Sequence, residues 1–84
     1  MAPIKVQVLG TGCMKCNKLY AEVEKAIAQA GVSAELSKVE KLEEIVKFGT
    51  PFTPGLVIDG EVKSQGKVPG LEQIVAWVTE AAGR

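Results

Sequence analysis

Two cysteines stand three positions apart, Cys13 and Cys16, with Met14 and Lys15 between them. Thiols at that spacing on the first turn of a helix come within bonding reach, so the pair can close into a disulfide and be reduced again. Placement divides the work between them. Cys13, at the start of the predicted helix, meets unsatisfied N–H groups and the positive end of the helix dipole, which stabilise the nucleophilic thiolate. Cys16 continues the apolar stripe of that helix and is expected to be buried, which suits a resolving thiol that attacks a mixed disulfide held on Cys13. Lys15 adds a nearby positive charge, although its place on the polar helix face accounts for it equally well.

The same two residues admit other chemistry. Paired thiolates hold soft ions such as Cu(I). Zinc also takes thiolates, but this pair supplies two ligands and the chain has no histidine, so a tetrahedral site needs carboxylates to complete it. No metal ligand set is therefore assigned, and a dithiol/disulfide cycle requires no cofactor. Free cysteines also serve as small apolar core residues. Against that, both stand at the exposed end of a helix in a spacing with redox use.

The elements that position the pair follow from the periodicity. IKVQVL at 4 to 9 is rich in β-branched residues and ends at Gly10-Thr11-Gly12, which predicts a buried strand running into a tight turn. From Cys13 to Ala30 the period is helical. Cys16, Leu19, Val23, Ala26, Ile27 and Ala30 share one face, Lys15, Lys18, Glu22, Lys25 and Gln29 the other, and Gly31 stops the helix. Alternation over 32 to 39 predicts a second strand. A short helix with Leu42, Ile45 and Val46 inward then ends at Phe48-Gly49.

TPFTPG at 50 to 55 is too proline-rich for helix and leads into a short buried strand, Leu56-Val57-Ile58. Asp59-Gly60 suits a type I′ hairpin, so 61 to 65 should return antiparallel. The last helix follows Gly70, with Leu71, Ile74, Val75, Val78 and Ala82 inward and Trp77 at the flank. The order is βαβαββα. The first two strands, joined through a helix, should be parallel. The fold class is α/β, a four-stranded mixed sheet covered by helices.

Eighty-four residues provide for one core, so residues 1–84 are expected to form a single domain. Acidic and basic residues cancel at ten each, which gives no general pull toward nucleic acid or anionic lipid. The opening MAPIKVQVLG has one lysine and too short an apolar run for a signal peptide. No stretch approaches the roughly 20 apolar residues of a membrane span. The expected location is cytoplasmic, where an isolated C-x-x-C is a site and not a structural framework.

With these elements in place, the chain resembles the small redox-active disulfide proteins of the thioredoxin superfamily, in particular its compact, glutaredoxin-sized members. The carriers are IKVQVLGTGCMKC at 4 to 16, FGTPFTPGLVIDGEV at 48 to 62, and the final amphipathic helix, so essentially the whole chain is covered. The resemblance implies a thioredoxin-like fold and a thiol–disulfide oxidoreductase serving electron transport. It would act as a reductase of protein disulfides through Cys13 and Cys16 and be recharged by a separate reductase. It further implies that the Thr53–Pro54 bond is cis, that Pro54 packs against the sulfurs and that the Thr53 backbone pairs with a bound substrate strand. Met14 and Lys15 then belong to the substrate-facing surface, where Met14, Phe52 and Val68 would form an apolar docking patch. Phe52 as a core residue is the equal alternative.

Departures from the pattern are specific. Gly12 stands where thioredoxins carry tryptophan, Met14-Lys15 where they carry Gly-Pro, and Gln7 where they carry a buried acid. Glutaredoxins hold glutathione partly through Gly-Gly and an acidic start to the last helix. Here that stretch is Gly66-Lys67-Val68-Pro69-Gly70, so glutathione is not assigned as a partner, although Lys67 offers a charge to a carboxylate. The rival function is a soft-metal carrier for Cu(I) or zinc. Such modules run βαββαβ, whereas here a second helix precedes the Thr53-Pro54 strand.

Overall fold

A computed structural model of the chain describes residues 3–11, 14–49 and 52–83. Gly12, Cys13, Thr50 and Pro51 lie outside the described residues. The elements are strand Ile4–Leu9 (β1), helix Met14–Ala30 (α1), strand Ala34–Val39 (β2), helix Leu42–Ile45 (α2) continued by a 3₁₀ turn Val46–Phe48, strands Gly55–Ile58 (β3) and Glu61–Gln65 (β4), and helix Leu71–Ala82 (α3). The strands form one sheet in the order β2-β1-β3-β4. β1 runs parallel to β2 and antiparallel to β3, which is antiparallel to β4. This is the mixed α/β sheet expected from the sequence.

Strand alternation sends apolar side chains to both faces of the sheet. Ile4, Val6 and Val8 of β1 join Leu56 and Ile58 of β3 on one face, under Leu19, Val23 and Ala26 of α1 and Ile74, Val78 and Ala81 of α3. Burial of side chains of this size contributes about 1.5–3 kcal/mol each. On the other face Leu9, Val39 and Val57 meet Ile45 of α2 in a smaller cluster flanked by Phe48 and Val62. Two long helices thus cover one side and one short helix the other.

The Asp59-Gly60 hairpin forms as read. Both residues have positive φ, 49° and 81°, and Ile58 pairs with Glu61 across the two-residue loop, as a type I′ turn requires. Asp59 also ties the hairpin to β1: its N–H donates to the Lys5 carbonyl at 2.7 Å, and its Oδ1 accepts from the Lys5 N–H at 2.8 Å. A bulge between Leu56 and Val57 leaves Lys63 as the extra residue of edge strand β4, a common way to blunt an edge.

The structure differs from the sequence pattern in two places. The helical period places Leu42 and Val46 inward, yet they are 67% and 54% exposed. A single turn of α helix that tightens at once to 3₁₀ presents one residue to the sheet, and Ile45 takes that place. The second strand starts at Ala34, not residue 32, because the chain is still leaving the Gly31 stop, where φ is 67°. In the last helix Ala82 packs against the core as expected, and Ala81 beside it is buried as well. No helix among the described residues is long and apolar enough to cross a membrane.

Candidate active site

β1 ends at Leu9, and four residues separate it from α1, whose first turn carries Met14, Lys15 and Cys16. Met14 and Lys15 are exposed, Met14 to 87%, whereas Cys16 is only 5% exposed. The difference follows from the helical period that places Cys16 in register with Leu19 and Val23 on the core-facing stripe. No acidic residue stands in this first turn, so no side-chain charge there opposes a thiolate at the helix start. Cys16 is disulfide-bonded.

The floor under Cys16 is Gly10. A Cβ built at Gly10 would overlap the Cys16 Sγ and lie 2.9 Å from its Cβ, so only glycine lets the strand end approach the sulfur this closely. The Gly10 N–H donates to the Val39 carbonyl at 3.0 Å, which extends the β1/β2 pairing one residue and fixes the glycine in place. The sequence pattern places Gly10 in a turn and does not reveal this contact. Its signal was a glycine at a strand end close before the cysteine pair.

Thr53 and Pro54 arrive at the same end of the sheet. The antiparallel register pairs Leu9 with Gly55, so the chain before Gly55 lies beside the chain after Leu9. The Thr53–Pro54 peptide bond is cis. Pro54 is fully buried and its carbonyl accepts from the Gly66 N–H at 2.9 Å. Thr53 is exposed, and among the described residues no backbone hydrogen bond reaches it. Phe52 is 60% exposed, its Cβ 3.4 Å from where a Cβ on Gly66 would sit. Of the apolar patch expected from sequence, Met14 and Phe52 are on the surface. Val68 instead packs against the main core.

The sequence that builds this site is similar to known proteins. The thioredoxin domain family matches residues 4–79. The chain belongs to the thioredoxin family of thiol–disulfide oxidoreductases. Among its relatives is a thioredoxin of Methanothermobacter thermautotrophicus, 37% identical over 71 residues that cover 84% of this chain and 92% of the relative. A thioredoxin of Methanocaldococcus jannaschii is 38% identical over 71 residues, covering 84% and 81%. Both support the family expected from the cysteine pair and the Thr-Pro segment.

Proposed function

We propose that this thioredoxin-family protein reduces disulfides in protein substrates by cycling Cys13 and Cys16, and that a separate dithiol reductase returns it to the reduced state. The observation that carries the reading is Cys16: buried on the first turn of α1, set against Gly10, and disulfide-bonded.

In the reaction, the Cys13 thiolate attacks one sulfur of the substrate disulfide. A Cys13–substrate disulfide forms and the other substrate sulfur leaves as a thiolate that takes a proton. Cys16 then loses its proton and attacks the Cys13 Sγ. The Cys13–Cys16 bond forms, the substrate's second sulfur departs, and two electrons have passed from protein to substrate. Thr53, exposed and with no backbone hydrogen bond among the described residues, supplies hydrogen bonds to an extended substrate segment. Met14, Lys15 and Phe52 form the surrounding contact surface, with Pro54 as its buried base. The protein is proposed to work as one domain in the cytoplasm.

The test is a redox titration. The protein is equilibrated in graded dithiol/disulfide buffers at neutral pH, free thiols are alkylated, and the reduced fraction is read by mass. A single two-electron transition near the range of roughly −270 to −200 mV spanned by thioredoxins and glutaredoxins is expected. Failure to form an intramolecular disulfide at any potential would overturn the proposal.

A further inference from the structure

The reading above requires a buried thiol, Cys16, to lose a proton, and the position where thioredoxins carry a buried acid is Gln7. Gln7 has no proton to exchange. It also points away, lining a groove with Glu44 and Lys47 on the α2 face of the sheet, whereas Cys16 lies with Val8 and Gly10 on the α1 side. Another group must connect Cys16 to solvent.

At the end of β2 the alternation of the strand turns Val39 into the α2-side cluster and Lys38 to the opposite side, and Glu40 follows directly after the strand. Lys38 and Glu40, together with Val8, Gly10, Cys16 and Asn17, line a partly open cavity of about 10 Å³. That is close to the least space that admits one water molecule. We propose that Glu40 is a positioning residue for the resolving step, receiving the Cys16 proton through a single water in this cavity and passing it to solvent.

The other lining groups do not serve. Val8 and Gly10 contribute no titratable side chain from β1, and Asn17 of α1 is an amide. Lys38 as an ammonium has no acceptor site, and it lies over the Tyr20 ring of α1 at 4.7 Å from the centroid, a cation–π contact. The charged groups lining the cavity are thus Lys38 and Glu40. Glu40 both lines the cavity beside Cys16 and is exposed to bulk water. In the step, the Cys16 S–H proton moves to the water as a water proton moves to the Glu40 carboxylate. The Cys16 thiolate attacks the Cys13 Sγ, the substrate sulfur leaves, and Glu40 afterwards gives its proton to solvent.

This inference rests on Cys13 and Cys16 acting as a redox pair, and one experiment separates the two. The fully reduced protein is mixed in stopped flow with the chromogenic aryl disulfide dithiobis(nitrobenzoate). The first aryl thiolate reports formation of the mixed disulfide and the second reports its resolution by Cys16. In Glu40→Gln the ratio of the second rate to the first should fall roughly a hundredfold at neutral pH, the lower end of the range for a positioned base. The pH profile of the second release should also move upward by about one pH unit per tenfold loss, because hydroxide must take the proton, and Glu40→Asp should restore it in part. An unchanged profile in Glu40→Gln, with both releases present, overturns the role of Glu40 and leaves the redox pair standing. Absence of a second release in the unaltered protein overturns the pair itself.

Discussion

Gly10 and Cys16 are in such close contact that a single methyl group on the glycine would occupy the space of the sulfur. Gly10 is buried, held by its hydrogen bond to Val39 at one side and by the sheet beneath, so the strand has no direction in which to yield. Gly10→Ala should therefore cost about 1–3 kcal/mol, the usual range for overpacking a tight site. The loss should be greater in the disulfide form, where the sulfur is tethered, than in the dithiol form, where it can change rotamer. Urea unfolding of the two forms, compared with the unaltered protein, measures both effects.

Asp59 is the second place where one side chain joins distant segments. It closes the β3–β4 hairpin at positive φ and accepts the Lys5 N–H at the start of β1. Asp59→Ala removes that acceptor and puts a residue with no local hydrogen bond in the left-handed region. A loss of about 1–3 kcal/mol is expected. Asp59→Asn keeps an acceptor and tolerates the conformation, so it should lose clearly less in the same denaturation assay.

Much of this architecture was legible in the chain because each element had a strong local signal. The helical stripe through Cys16, Leu19 and Val23 and the Asp-Gly step before Glu61 each specify one conformation by themselves, and the Thr-Pro segment carried the family likeness. What stayed hidden depended on contacts between segments far apart in sequence. Nothing local marks Gly10 as the residue under Cys16, because that requires knowing where α1 returns over β1. Lys38 and Glu40 read as an ordinary polar strand end until β2 is placed beside β1. The inward assignment of Leu42 and Val46 erred for a related reason: period alone does not reveal that the helix stops after one turn.

That short helix should be the most labile element of the fold. α2 has four residues, no side-chain cap and one buried side chain, Ile45. Isolated helices of this length do not hold themselves together, so Ile45 and its cluster carry it. Hydrogen exchange monitored by mass should show amides 42–48 exchanging well before those of α1 and α3. Equal protection in all three helices would contradict this.

Phe52 is placed to meet a partner and contributes little to the core. It is exposed beside Thr53 and lies over Gly66. Phe52→Asp should reduce kcat/KM for protein disulfides about fivefold to thirtyfold, the effect of losing an apolar contact worth roughly 1–2 kcal/mol. The rate with a small aryl disulfide, which does not reach this surface, should change much less. Parallel assays with insulin and dithiobis(nitrobenzoate) as substrates distinguish docking from chemistry.

The unequal positions of the two cysteines lead to the final prediction. Cys16 is buried at the core-facing edge of α1, so a substrate sulfur does not reach it directly, and its part in the proposed cycle begins only after a mixed disulfide exists. Cys16→Ser should then leave the first attack intact and stop the second. The variant should accumulate as a covalent adduct with its substrate that is released by dithiothreitol and visible by intact mass under non-reducing conditions. Cys13→Ser lacks the attacking thiol and should form no adduct at a comparable rate, because its remaining sulfur is covered. Both variants replace sulfur by a hydroxyl of similar size. Burial of an unpaired hydroxyl costs about 1–3 kcal/mol, so Cys16→Ser should also unfold at lower urea than the unaltered protein. Equal trapping by the two variants would mean that the cysteines are interchangeable, and the assignment of attack to Cys13 and resolution to Cys16 would then be wrong.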